Sequence, residues 1–197
     1  MNKEQEALAL ILYEIGAVRF GEFKLHSGKM SPIYVDLRLL ASFPQAMRRA
    51  AELYSALLRE MTFDLLAAAP LAGLPIGTAI SLAMDVPLVY ARPTDKGYGT
   101  GKRIEGKWEA GQRAVMVDDL VTSGDSLLGG IRLLEAGGLV VNEAVVLLDR
   151  EQGGKEMLEA NGIKLTSAMT LREALSVYVF EGKITDEEQT RVLDGLS

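Results

Sequence analysis

Two adjacent carboxylates, Asp118 and Asp119, follow the apolar run Ala114-Val115-Met116-Val117 and precede Leu120, Val121 and the small polar stretch Thr122-Ser123-Gly124-Asp125-Ser126. Carboxylates at the end of a buried strand accept hydrogen bonds from hydroxyls, and a turn of small residues bares main-chain N–H groups toward an anion. A helix opening at Ser126 adds about half a positive charge at its N-terminus. One segment can therefore hold a sugar phosphate by its diol and by its phosphate. Asp125 is the unexpected member. A carboxylate about 7 Å from a phosphate costs on the order of 0.6 kcal/mol in a water-like dielectric and several times that if buried, so it is expected to point outward. Small polar residues also cap ordinary helices, which is the plainer use of such a stretch. No Gly-Lys-Ser/Thr ends a glycine-rich run and no Gly-x-Gly-x-x-Gly occurs, so nucleotide hydrolysis and hydride transfer lose support.

Placing those groups requires a sheet. Short apolar runs at Phe63 to Ala68, Pro87 to Ala91, Ala114 to Val117 and Ala144 to Leu148 alternate with helical stretches at Ile76 to Met84 and Ser126 to Ala136, the rhythm of an α/β fold with a mostly parallel sheet. The polar segments Pro70 to Pro75, Arg92 to Gly106, Asp118 to Ser126 and Asp149-Arg150 each follow one of these strands. Ligands bind beyond strand C-termini in open α/β sheets, so all four converge on one edge. Ahead of the sheet, Leu8, Ile11, Leu12 and Ile15 mark an amphipathic helix ending near Gly16. Phe20 to Leu25 and Ile33 to Leu37 suggest an antiparallel hairpin or hood, and a second helix begins around Pro44. Thr185 to Leu196 reads as a structural tail helix.

At 197 residues, 48% hydrophobic and 24% charged, the chain is expected to form a single domain, 1–197. Its net charge of −6 argues against nucleic acid as the main partner. There is no Cys, so neither disulfides nor thiolate metal sites are available. The polar start Met1-Asn2-Lys3-Glu4 and the lack of a long apolar run point to a soluble cytoplasmic protein without a membrane partner.

The 118–126 segment resembles the phosphoribosyl-pyrophosphate (PRPP) motif of type I phosphoribosyltransferases, which implies that family's fold, a mostly parallel sheet with a small N-terminal hood and a lid loop. By that resemblance Asp118 and Asp119 hold the ribose hydroxyls, Thr122, Ser123, Gly124, Asp125 and Ser126 the 5-phosphate, and Leu120 and Val121 belong to the same PRPP site. Three further segments are similar to orotate phosphoribosyltransferase, including the corresponding domain of the bifunctional enzyme that makes uridine monophosphate. They are Phe20 to Gly28 followed by Ser31 to Arg38, Arg92 to Thr100 followed by Ile104-Glu105-Gly106, and Asp149 to Gly154.

The resemblance implies transfer of ribose 5-phosphate from PRPP to orotate with Mg2+, with no dedicated metal cage. It further implies a homodimer whose lid, about 92–106, brings Arg92 and Lys96 into the neighbouring subunit's site as catalytic cations. Tyr98, Ala72 and His26 would join the PRPP site, and Arg150, Thr122, Tyr34 and Val35 the orotate site. A planar guanidinium at 150 suits the carboxylate that distinguishes orotate from uracil, adenine and hypoxanthine. The family often has Lys where this chain has His26, Ala72 and Pro93, and His where it has Tyr98. Two other readings stay open: a phosphoribosyltransferase for another base, and a non-catalytic PRPP-binding regulator. Trp108 and the lone His26 have no assigned chemistry beyond this.

Overall fold

In the computed structural model, which describes residues 1–24, 28, 30–92 and 103–195, helix α1 (Lys3–Glu14) starts with a capping box between Asn2 and Gln5. The antiparallel pair β1 (Val18–Lys24) and β2 (Met30–Val35) forms the hood, and a 3-10 turn (Leu37–Ser42) carries the chain to α2 (Pro44–Leu58). Then follow β3 (Leu65–Ala68), α3 (Gly73–Met84), β4 (Leu88–Ala91), β5 (Ile104–Glu105), β6 (Arg113–Val121) and α4 (Asp125–Ala136). Strand β7 (Val140–Asp149), α5 (Gly154–Ala160), β8 (Lys164–Thr170), α6 (Leu171–Phe180) and α7 (Asp186–Asp194) complete it. Among the described residues no helix is long and apolar enough to cross a membrane.

The main sheet has the order β5-β4-β3-β6-β7-β8, parallel except for β5. Its inner strands are apolar on both faces because helices cover both: every residue of β3 is buried. Val115 and Val117 join the core under α1, α2 and α6, whereas Met116 joins the one under α4. From β3 the chain moves outward to β4 and later returns to β6 on the other side. The sheet therefore reverses direction between β3 and β6, the place where such folds open a crevice at their carboxyl edge.

Several expectations need correcting. The β6 strand does not stop at Val117. It runs on through both carboxylates to Val121, because Asp118 pairs with Val146 and Leu120 with Leu148 of the longer β7. Of the segment 92–106 expected as a lid, residues 93–102 lie outside the described residues, and its two ends are not loop. The Arg92 amide donates to the Arg103 carbonyl at 2.7 Å, and Tyr90 and Ala91 pair with Glu105 and Ile104, so both flanks belong to the sheet edge. Strand β8 and helices α5 and α6 are not evident from sequence, since Lys164–Thr170 is a mixed polar run without alternation.

Candidate active site

A cleft of about 280 Å3 opens where the sheet reverses, lined by Pro70–Ala72, Asp118–Gly124, Ser126 and Leu127. Pro70 and Leu71 are joined by a cis peptide bond. Strand alternation turns Asp119 to the face of Val115 and Val117 and Asp118 to that of Met116, so the pair straddles the strand's end. Each carboxylate is held by a main-chain amide: Asp119 N–H donates to Asp118 Oδ1 at 2.9 Å and Leu120 N–H to Asp119 Oδ1 at 2.8 Å. Burial, followed by repulsion from Asp119, pushes the Asp118 carboxyl up to about 8. Burial also raises Asp119, against hydrogen bonding from the Leu120 amide and the positive charge of Arg38.

Beyond the strand, Gly124 takes φ 84 and caps α4, a backbone state that an L side chain resists. The turn it makes faces the N-terminus of a helix of 12 residues, whose first amides lack partners within the helix. Asp125 is exposed, and its Oδ2 accepts the Ser123 hydroxyl at 2.6 Å. It is absent from the cleft's lining, where Ser123, Gly124 and Ser126 all stand.

Arg150 approaches from β7. Its amide donates to the Val121 carbonyl at 3.0 Å, and the next amide, Glu151 N–H, donates to Asp149 Oδ1 at 2.8 Å, so the turn after β7 is pinned on both sides. The guanidinium is partly buried, its pKa is lowered by desolvation, and Nε has no hydrogen-bond partner. The salt bridge that a structural arginine would make is missing here among the described residues. An unpaired buried cation is costly, and an anionic ligand would repay that cost.

The hood carries an aromatic and cationic cluster, most of it within the 20–38 signature. The Arg19 guanidinium lies 5.1 Å from the Tyr34 ring centre and 5.7 Å from that of Phe23, and Arg38 forks onto Asp36 at 2.6 and 2.9 Å. The 3-10 turn bearing Arg38 packs against β6. Tyr34 and Val35 lie on β2 and do not line the cleft itself; Val35 packs on the core beneath. Arg92 stands at the end of β4, its Nε 2.9 Å from Glu105 Oε1, rather than on a free loop. Ala72 lines the cleft. His26, Lys96 and Tyr98 lie outside the described residues. A larger hollow of about 600 Å3 between α5 and β8 presents Asp149, Glu151 and Glu156 against Lys155, a poor match for a phosphate.

A carboxylate pair ending a central strand, followed by an amide-lined turn into a helix, defines a class of protein that binds a phosphorylated sugar. Residues 40–161 match the phosphoribosyl transferase domain. An orotate phosphoribosyltransferase from Pyrobaculum aerophilum is 44% identical over 139 residues, 71% of this chain and 72% of the relative. The bifunctional enzyme PyrF/PyrE of Nostoc is 38% identical over 92% of this chain, which spans only 38% of that protein. A structure of Leishmania donovani UMP synthase superposes with a TM-score of 0.89 at 40% identity, covering 98% of this chain and 42% of the other. The chain belongs to the phosphoribosyltransferase family and, within it, to the orotate phosphoribosyltransferases.

Proposed function

We propose that the chain transfers ribose 5-phosphate from PRPP to N1 of orotate in pyrimidine biosynthesis, giving orotidine 5-monophosphate and pyrophosphate. The observation that carries the choice of base is the partly buried guanidinium of Arg150 beside the end of β6, whose Nε has no partner among the described residues. Orotate brings a carboxylate to that fork, and the neutral bases do not. The Asp118–Asp119 pair accepts the ribose hydroxyls, and the Thr122–Ser126 turn receives the 5-phosphate. As the bond from C1 to the pyrophosphate oxygen breaks, the electron pair leaves with pyrophosphate. Positive charge gathers on the ribose ring, N1 forms the new bond to C1, and its proton passes to water. Carboxylates held beside the ribose favour that charge, an effect worth a few kcal/mol per well-placed group.

Mg2+ fits this site as a companion of the pyrophosphate. Among the described residues no group of three or more acidic or histidine side chains gathers as a cage, and the hard oxygens at the cleft are those of Asp118 and Asp119. The ion would neutralise leaving-group charge. The reading includes a homodimer in which Lys96, and Arg92 from the root of the same segment, act in the neighbouring subunit's site. It places the protein in the cytoplasm, because neither anionic substrate crosses a bilayer unaided.

Ultraviolet absorbance of orotate, followed with PRPP and Mg2+ beside parallel reactions with adenine, hypoxanthine and uracil, tests the reading. Orotate alone should be consumed, and no loss at any enzyme concentration would end it. Within that assay Lys96→Ala should lower kcat far more than PRPP affinity, whereas Arg150→Ala should mainly raise the orotate KM, by roughly 10- to 100-fold for a lost charge-assisted fork. Equal effects of both substitutions on both parameters contradict these roles.

A further inference from the structure

Tyr54 belongs to α2, outside every segment that carries the family motif, and it is fully buried. Its hydroxyl donates to the main-chain carbonyl of Asp118, and the Leu147 amide of β7 faces the Tyr54 hydroxyl oxygen. Pairing of β6 with β7 runs from Asp118–Val146 to Leu120–Leu148 at this point. The hydroxyl thus stands where the strand bearing both carboxylates meets its neighbour, with a ring that fixes its height above the sheet. Only two torsions set a tyrosine's position, and the packed core around Tyr54 leaves neither free. We propose that Tyr54 is a positioning residue of the donor site: its bond to the Asp118 carbonyl sets where Asp118 and Asp119 present themselves to the ribose hydroxyls.

This assignment rests on the reading of the cleft as a PRPP site and is independent of the base. Displacement of the carboxylate pair by a fraction of an ångström would weaken ribose binding while leaving Arg150, pinned through Val121 and Asp149, unmoved. A second buried tyrosine provides the control. Tyr178 donates to the Ala9 carbonyl at 2.9 Å between α6 and α1, in the same core and remote from the cleft.

The test compares Tyr54→Phe with Tyr178→Phe by calorimetric PRPP affinity without orotate, by both KM values and by thermal unfolding. Tyr54→Phe should weaken PRPP binding about tenfold, as expected for a lost buried hydrogen bond that orients charge, with the orotate KM within about twofold of wild type. Tyr178→Phe should lower the unfolding temperature and leave PRPP affinity unchanged. Introducing 4-aminophenylalanine at position 54, which keeps the ring and a donor, should restore PRPP binding. If Tyr54→Phe does not fold, 4-fluorophenylalanine, which fills the hydroxyl's space without donating, replaces it with the same readings. Wild-type PRPP affinity in a variant that has lost only unfolding temperature overturns the proposal. An enzyme that binds PRPP but leaves orotate untouched overturns the choice of base instead.

Discussion

Replacing Asp118 by Asn is expected to yield a protein that resists unfolding better than wild type and transfers ribose phosphate poorly. The free enzyme holds this carboxyl against burial and against Asp119. Its pKa of 3.8 in an unperturbed setting rises to about 8 in the fold. A raised acid adds no cost to folding below pH about 4, where both states carry the proton, and its burden grows as pH rises until it levels off above about 8. Asn mimics the protonated acid at every pH. The variant's advantage should therefore be small at pH 5 and full at pH 9, at about 1–3 kcal/mol, or about 3–8 °C in unfolding temperature for a chain of this size. Its kcat/KM for PRPP should fall on the order of 100- to 1,000-fold, because the developing ribose charge loses a carboxylate. Differential scanning calorimetry at the two pH values, run beside initial rates, reads both. An Asn variant no more stable at pH 9 than wild type would remove the idea that the site is held at the expense of the fold.

Much of this site is legible in the sequence. The 118–126 stretch announces itself because strand, carboxylates and small-residue turn are contiguous, and the segments after β3, β6 and β7 share an edge because parallel strands point one way. What escapes depends on partners distant in sequence. Strand β6 continues past Val117 only because β7 is long enough to pair with it, and β7's length is not written in residues 114–121. The Arg92 ion pair with Glu105, and the bond of its amide to the Arg103 carbonyl, are not written in residues 92–100 alone. Arg38 closes the 31–38 signature with no role of its own readable there, and Tyr54 lies in none of the segments quoted from the sequence. One acts through its charge on Asp119, the other through a hydroxyl on a carbonyl 64 residues away. β8 escapes because its mixed run Lys164–Thr170 shows no period-2 alternation, its place in the sheet being set by pairing with β7.

Gly154 shows the same distance dependence at its sharpest, and Gly154→Ala should cripple PRPP binding although Gly154 itself has no assigned contact with PRPP. The glycine opens α5 directly beneath the phosphate turn. A Cβ there would stand 2.5 Å from the Thr122 carbonyl oxygen, 2.5 Å from Val121 Cγ2 and 3.2 Å from the Gly124 amide nitrogen. Two of those three neighbours are main chain in the turn itself, so relief requires moving either the start of α5 or the phosphate turn. Gly124 meets the reciprocal limit, since its own Cβ would lie 3.0 Å from the Gly154 carbonyl. The methyl should cost about 1–3 kcal/mol in stability, as overpacking does, and roughly 10- to 100-fold in PRPP affinity, since a shift near 1 Å spoils a cradle of amides. Arg150 sits in the turn leading to α5, so the orotate KM should rise as well, unlike in the Tyr54 variants. Gly129 in α4 supplies the contrast, because a methyl added there would meet no atom within 4 Å. Gly129→Ala should gain about 0.5–1 kcal/mol from helix propensity and bind PRPP as wild type does. Calorimetric titration of the two variants separates steric displacement of the turn from any general effect of removing a glycine, and equal PRPP affinities would show that α5 does not hold the turn in place.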